Sequence, residues 1–136
     1  MLLRCLLWMF LAAFAWPAAA QEPYPAKPVR FVVPFPAGGP LDVLVRLYAQ
    51  KLGERWGRPV IAENRAGATG TIGVDAVVKS PPDGYTLAFT VDLPIVMAPA
   101  LFKPPYDAKR DLVPVADVVV HPSWVRVIKG ANIRPE

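Results

Sequence analysis

Residues 30–35 read RFVVPF, a short apolar, β-branched run without alternation. Such a run suits a strand buried on both faces of a parallel sheet, and Pro34 inside it marks an end or an edge. Past Pro36-Ala37-Gly38-Gly39-Pro40 the hydrophobic spacing changes. Leu41, Val45, Tyr48, Leu52 and Trp56 recur at three- and four-residue steps, which is the apolar stripe of an amphipathic helix. Pro40 suits its first turn, Asp42 adds negative charge near its N-terminus, and Gly57 stops it. A second short strand is expected over 59–63, followed by a loop over 64–68. Ile72, Ala76 and Val77 then give a weaker helix over 69–79. Ser80-Pro81-Pro82-Asp83-Gly84 is a strong turn, and YTLAFT at 85–90 predicts a third strand. The order β-α-β-α-β with short connections predicts a right-handed parallel sheet flanked by helices. Farther along, 96–102 suggests a short helix and 111–120 contains a strand. Residues 124–129 alternate apolar and basic, as a strand with one solvated face does.

The chain opens differently. Arg4 gives a short basic start, residues 5–16 are apolar, and Pro17 leads into Ala18-Ala19-Ala20. That layout predicts a secretory signal peptide over 1–20 with cleavage before Gln21, and hence a product outside the cytoplasm. A membrane-spanning helix wants about 20 consecutive apolar residues, more than this run supplies. Cleavage would leave about 116 residues, one domain with room for a hydrophobic core.

The only cysteine, Cys5, lies within the expected signal. The mature chain therefore carries no disulfide, zinc-thiolate site or cysteine nucleophile. Net charge is +4, one less without Arg4, and the basic residues are interleaved with acids. No nucleic-acid stripe is formed, although mild positive charge suits small anions.

Catalytic constellations are sparse. The single histidine, His121, precedes Pro122, and Ser80 and Ser123 have no base beside them. No nucleophile elbow is present. Asp83 and Asp107 sit in turn-like contexts, where aspartate bonds its own backbone. No metal-ligand spacing is seen and no cofactor is expected. Trp56 and Trp124 read as packing residues. The Gly38-Gly39 turn is more informative. Glycines let backbone amides approach a ligand, and a helix N-terminus presents unpaired N–H groups, which together suit a carboxylate or phosphate. A plain strand-to-helix connection needing glycine for its own geometry is the other explanation. A P-loop is excluded because Pro40-Leu41 follows Gly39, and the dinucleotide-binding G-x-G-x-x-G is missing after the first strand.

The blocks YPAKPVRFVVPFPAGGPLD and RLYAQKLGERWGRPVIAENRAGATGTIGVDAVVKSPPDGYTLAFT resemble the Bug-type receptors of tripartite tricarboxylate transporters. The resemblance runs from Tyr24 to about Asp111. It implies an α/β fold, the three-layer parallel-sheet lobe of a Venus-flytrap periplasmic binding protein, with the second lobe largely missing. Residues 21–120 would form the first lobe and 121–136 the start of the crossover to a truncated second one. The resemblance further implies a monomeric receptor for a small carboxylated solute, acting with the membrane subunits of the transporter and not with nucleic acid. Phe35, Pro36, Ala37, Gly38 and Gly39, with Asp42 on the helix, would face the ligand. Ala68 and Gly70 in the second loop and Thr90 at the end of the third strand would contribute from the same lobe. Three departures stand out: Leu41 replaces a small polar residue, Thr69 a glycine, and Ile95 and Ala98 polar positions. A chain about half the expected length implies weak binding; the alternatives are a remnant without function and a secreted α/β enzyme using the glycine turn as an oxyanion site.

Overall fold

The structure, a computed structural model, describes residues 23–119 and 125–130. The expected signal segment, His121, Ser123, Trp124 and the expected lobe boundary at 120/121 lie outside the described residues.

Five strands and four α-helices follow one another among the described residues. They are β1 (Val29–Val33), α1 (Pro40–Trp56), β2 (Val60–Asn64), α2 (Thr71–Val78) and β3 (Thr86–Val91), then α3 (Ala98–Leu101), α4 (Ala108–Asp111), β4 (Leu112–Val119) and β5 (Val125–Gly130). One sheet holds all five strands in the order β2-β1-β3-β5-β4. The first three strands are parallel, as the β-α-β-α-β pattern predicts. The remaining two make the sheet mixed, because β5 pairs antiparallel with both β3 and β4. β5 thus separates two strands that precede it in sequence.

Alternation along β1 explains the layers. Val29, Phe31 and Val33 join Val45 and Ala49 of α1 and Leu87 and Phe89 of β3 in one buried cluster. On the other face Val32 joins Val74 and Val77 of α2, Ala88, Tyr106 and Leu112. Helices therefore cover both faces of the parallel half, which is why RFVV carries no polar alternation. Phe89 is fully buried and meets Phe31 edge-to-face at 5.7 Å and Tyr48 at 5.9 Å. Burying a side chain of that size contributes about 1.5–3 kcal/mol, so this cluster is the lobe's main hydrophobic anchor.

The punctuation behaves as its chemistry requires. β1 stops at Val33, immediately before Pro34. α1 ends on Gly57 in the left-handed conformation, φ 63°, its amide bonded to the Gly53 carbonyl, a terminus that glycine reaches without a Cβ penalty. Asp83 accepts from the Tyr85 amide and Asp107 from the Lys109 and Arg110 amides. Both aspartates are turn and cap residues.

Candidate functional site

Parallel strands open their ligand crevice at their carboxyl ends, and three loops converge there. The first, after β1, is Pro34 to Gly39. Pro34 is buried and Phe35 half-buried against the α1 core cluster, while Pro36, Ala37 and Gly38 are exposed. Gly38 needs its glycine, since φ is +82°. Gly39 caps α1 in an extended conformation without any side-chain help. The helix begins with Pro40, so its first position has no amide to satisfy.

Asp42 is the residue that organises this loop. It is 4 % exposed. Its Oδ2 accepts from the Gly38 amide at 2.9 Å and from Arg46 Nε at 3.0 Å. Its Oδ1 accepts from Asn64 Nδ2 at 3.0 Å. The same Asn64 amide donates to the Phe35 carbonyl at 3.2 Å, and Arg46 reaches Asn64 Oδ1 at 3.3 Å. The end of β2 is thereby tied to both ends of the first loop. The Arg46 guanidinium, then the Gly38 amide, holds the Asp42 carboxyl at about 2, well below its ordinary value. Asp42 thus faces inward and positions the loop. The Gly38 nitrogen, expected to be bare, is already taken by Asp42. Among the described residues the Ala37, Gly39, Leu41 and Asp42 backbone amides make no hydrogen bond, so the anion-binding capacity of this corner rests on such amides.

The second loop, Arg65 to Gly70, is joined to the first by the Arg65 amide donating to the Val33 carbonyl at 2.8 Å. Ala68 (φ 44°) and Thr69 (φ 56°) both adopt left-handed backbone, and Gly70 (φ 92°) follows. Two consecutive non-glycine residues there store strain of order 1–3 kcal/mol each. A short 3₁₀ turn over Ala68–Gly70 holds them, with the Thr69 and Thr71 hydroxyls both donating to the Ala68 carbonyl, at 2.6 and 2.8 Å. Thr69 stands where the resemblance leads one to expect glycine, and its φ shows why glycine would be at ease there. Ala68 and Thr69 are exposed, whereas Gly70 is buried. A Cβ on Gly70 would lie 3.2 Å from Pro94 and 3.4 Å from Pro34. Gly70 is therefore the wedge at which the three loops meet.

The third loop follows β3. Thr90 is fully buried, and its hydroxyl donates to the Val91 carbonyl at 3.2 Å. A wide turn over Leu93–Met97 is held by the Ile95, Val96 and Met97 amides donating to the Asp92 carbonyl. Ala98 is buried and Ile95 half-buried. The Tyr106 hydroxyl donates to the Pro94 carbonyl at 2.6 Å in a buried setting. Burial, followed by the Asp75 carboxylate, pushes its phenol up to about 12. We expect Tyr106→Phe to cost about 1–2 kcal/mol, since it strands a buried carbonyl, with the deficit read from urea denaturation. The tyrosine's folded pKa exceeds the unfolded value of about 10, so its contribution is intact below that pH and lost as pH rises toward 12. A Phe variant matching the wild type in both would show that the hydroxyl does not support this loop.

The sequence did not point to Asn64, Arg46, Pro94 or Tyr106 as parts of the site. Arg46 carried one signal, its i+4 spacing from Asp42; the other three act across 12 to 29 residues. Among the described residues no cluster of three or more His, Cys, Asp or Glu could hold a metal. No helix there is long and apolar enough to cross a membrane.

Known proteins share this sequence pattern and fold. Residues 44–132 match the family described as tripartite tricarboxylate transporter family receptor. The chain is 45% identical over 109 residues to protein BugT of Bordetella pertussis, covering 79% of this chain and 33% of that one. It superposes on the periplasmic binding protein BugD with a TM-score of 0.64 at 40% identity, over 68% of this chain and 31% of that one. Against MatC of Rhodopseudomonas palustris with bound malate the TM-score is 0.65 at 38% identity, over 69% and 32% of the two chains. The chain spans about a third of the length of the curated relatives it matches. With well over half of its residues inside the family match, the chain belongs to the tripartite tricarboxylate transporter receptor family.

Proposed function

We propose that the chain supplies the first lobe of an extracytoplasmic receptor that captures a small carboxylated solute for a tripartite tricarboxylate transporter. The observation that carries this is the meeting of three loops at the carboxyl ends of parallel strands. There Pro36, Ala37, Gly38, Ala68 and Thr69 are open to solvent above a rigid Asp42 network. The Gly39 and Leu41 amides at the start of α1 donate to the solute's carboxylate. Phe35, Gly70 and Thr90 hold the backbone beneath. The malate bound to MatC, a relative of similar fold, supports a carboxylate as the ligand class. The lobe includes β5 (Val125–Gly130), which lies within its single sheet, and residues 1–20 direct the monomer to the periplasm. There it meets the transporter's membrane subunits.

As a single lobe the chain contacts a ligand from one side, so the ligand keeps its far side in water. We expect dissociation constants of about a millimolar or weaker, because most of the desolvation and contact energy comes from enclosure. Titration calorimetry with malate, citrate and adipate, with glucose as the uncharged control, tests this. Micromolar affinity for any acid would overturn the weak-binding part. A response to glucose equal to that of the acids would overturn the carboxylate part.

A further inference from the structure

A second cleft lies at the opposite end of the parallel strands. It has a volume of about 480 Å³ and is lined by residues 23–26 together with Arg55, Trp56 and Arg58. Tyr24 precedes β1, Arg55 and Trp56 close α1, and Arg58 precedes β2. All of them belong to the amino-terminal edge of the sheet. The candidate ligand loops sit beyond its carboxyl edge, a separation of about 25 Å along the 17-residue α1.

Its walls are aromatic and firmly held. Tyr24 meets Trp56 edge-on at 6.2 Å and Tyr85 at 5.0 Å. The Tyr24 hydroxyl donates to the Gly84 carbonyl at 2.8 Å. Its charge is basic. Lys27, Arg30, Arg46, Lys51, Arg65, Lys79 and Arg110 all enter ion pairs. Arg55 and Arg58 are exposed and, like Lys103 and Lys109 elsewhere, enter none among the described residues; no acidic side chain among the described residues lines the cleft.

We propose that this cleft docks an acidic, extended peptide segment of a partner protein. The Arg55 and Arg58 guanidinium forks, which line the cleft together with Trp56, suit two carboxylates spaced along a chain, each held by paired N–H donors. The Trp56 and Tyr24 rings and the flanking prolines provide apolar contact for the intervening backbone and side chains. Two cations are too few and too local for a nucleic-acid track or a membrane surface. Because the cleft is remote from the solute loops, docking here does not obstruct them and does not depend on the solute assignment.

The test uses ¹⁵N-labelled protein titrated with a capped hexaglutamate peptide, followed at the Trp56 indole N–H. We expect a saturable shift there. Arg55→Glu combined with Arg58→Glu should weaken binding by about tenfold or more, as should raising sodium chloride from about 0.05 to about 0.5 M. Should the reversed pair disturb the spectrum elsewhere, Arg55→Gln with Arg58→Gln replaces it, with at least a threefold loss expected. Three outcomes would overturn the proposal: no shift at Trp56, undiminished binding by the double variant, or an equal response to hexalysine. An equal response to free citrate at matched carboxylate concentration would overturn it in favour of a small anion. Self-association of the protein alone, abolished by the same substitutions, would overturn it in favour of a second copy.

Discussion

Gly73→Ala is expected to destabilise the lobe by about 3 kcal/mol, and Gly73→Val to abolish its cooperative melt. Gly73 lies inside α2, where alanine ordinarily gains up to about 1 kcal/mol over glycine. Here the sign reverses. A Cβ at this position would stand 2.7 Å from Pro34 Cβ, 2.8 Å from the Arg65 carbonyl oxygen and 2.8 Å from Pro34 Cα. Two of those neighbours are backbone, so nothing flexible can move aside. The chain would have to push the end of β1 away from α2, opening the junction that holds the first two loops. Gly53→Ala is the internal control: a Cβ there would first meet the Arg58 carbonyl at 3.4 Å, and we expect stability unchanged or raised by up to about 1 kcal/mol. Urea denaturation followed by far-UV circular dichroism measures both. A Gly73→Ala midpoint at or above the wild-type value would refute the close packing of α2 on Pro34.

Asp42→Ala is expected to lower the melting temperature by roughly 5–10 °C and any affinity for dicarboxylates by about tenfold. The substitution leaves the Gly38 amide, the Asn64 amide and the Arg46 guanidinium without their shared acceptor. The loop over 36–39 then loses the tether that fixes it over α1. Acid titration gives an independent signature. The folded-state pKa of Asp42, about 2, lies below its ordinary 3.8, so folding favours the ionised form. Its contribution is present above about pH 4 and disappears as pH falls toward 2. Asp83, Asp111 and Glu54 are held low as well, chiefly by Lys27, Arg110 and Lys51, so the wild type has a composite acid limb. Asp42→Asn should flatten the part of that limb between about pH 4 and about pH 2. A limb of unchanged slope, or a tight-binding Asp42→Ala variant, would mean that the carboxylate does not organise the loop.

The features legible in the sequence were local ones. The stripe Leu41, Val45, Tyr48, Leu52 and Trp56 packs on the sheet as its spacing predicts, because one helix face needs nothing beyond its own period. Pro34, Gly57, Asp83 and Asp107 act through the backbone within a few residues of themselves. The glycine corner was legible too, though not its occupancy. Asp42 is an acid near a helix start, and only the position of Asn64, 22 residues on, shows that it turns inward. Thr90 is the next-to-last residue of β3, which runs on to Val91, and its burial was not legible in the strand alone, nor was β5 laid beside it, with Arg126 paired to Thr90. The antiparallel insertion of β5 was hidden because periodicity identifies a strand without naming its neighbours. The left-handed Ala68-Thr69 pair had only the glycines around it as a sign.

The position of β5 has a consequence for how the chain is made. Strands β3 and β4 never touch as neighbours; each waits for the fifth strand to be synthesised. A nascent chain that has delivered β1 to β3 therefore carries a raw edge along β3, with its peptide groups unsealed until residue 130 emerges. Up to that moment the half-built sheet is a template for any passing strand, and a stall in translation there exposes it to aggregation or proteolysis. Arrival of β5 closes the seam on both sides at once.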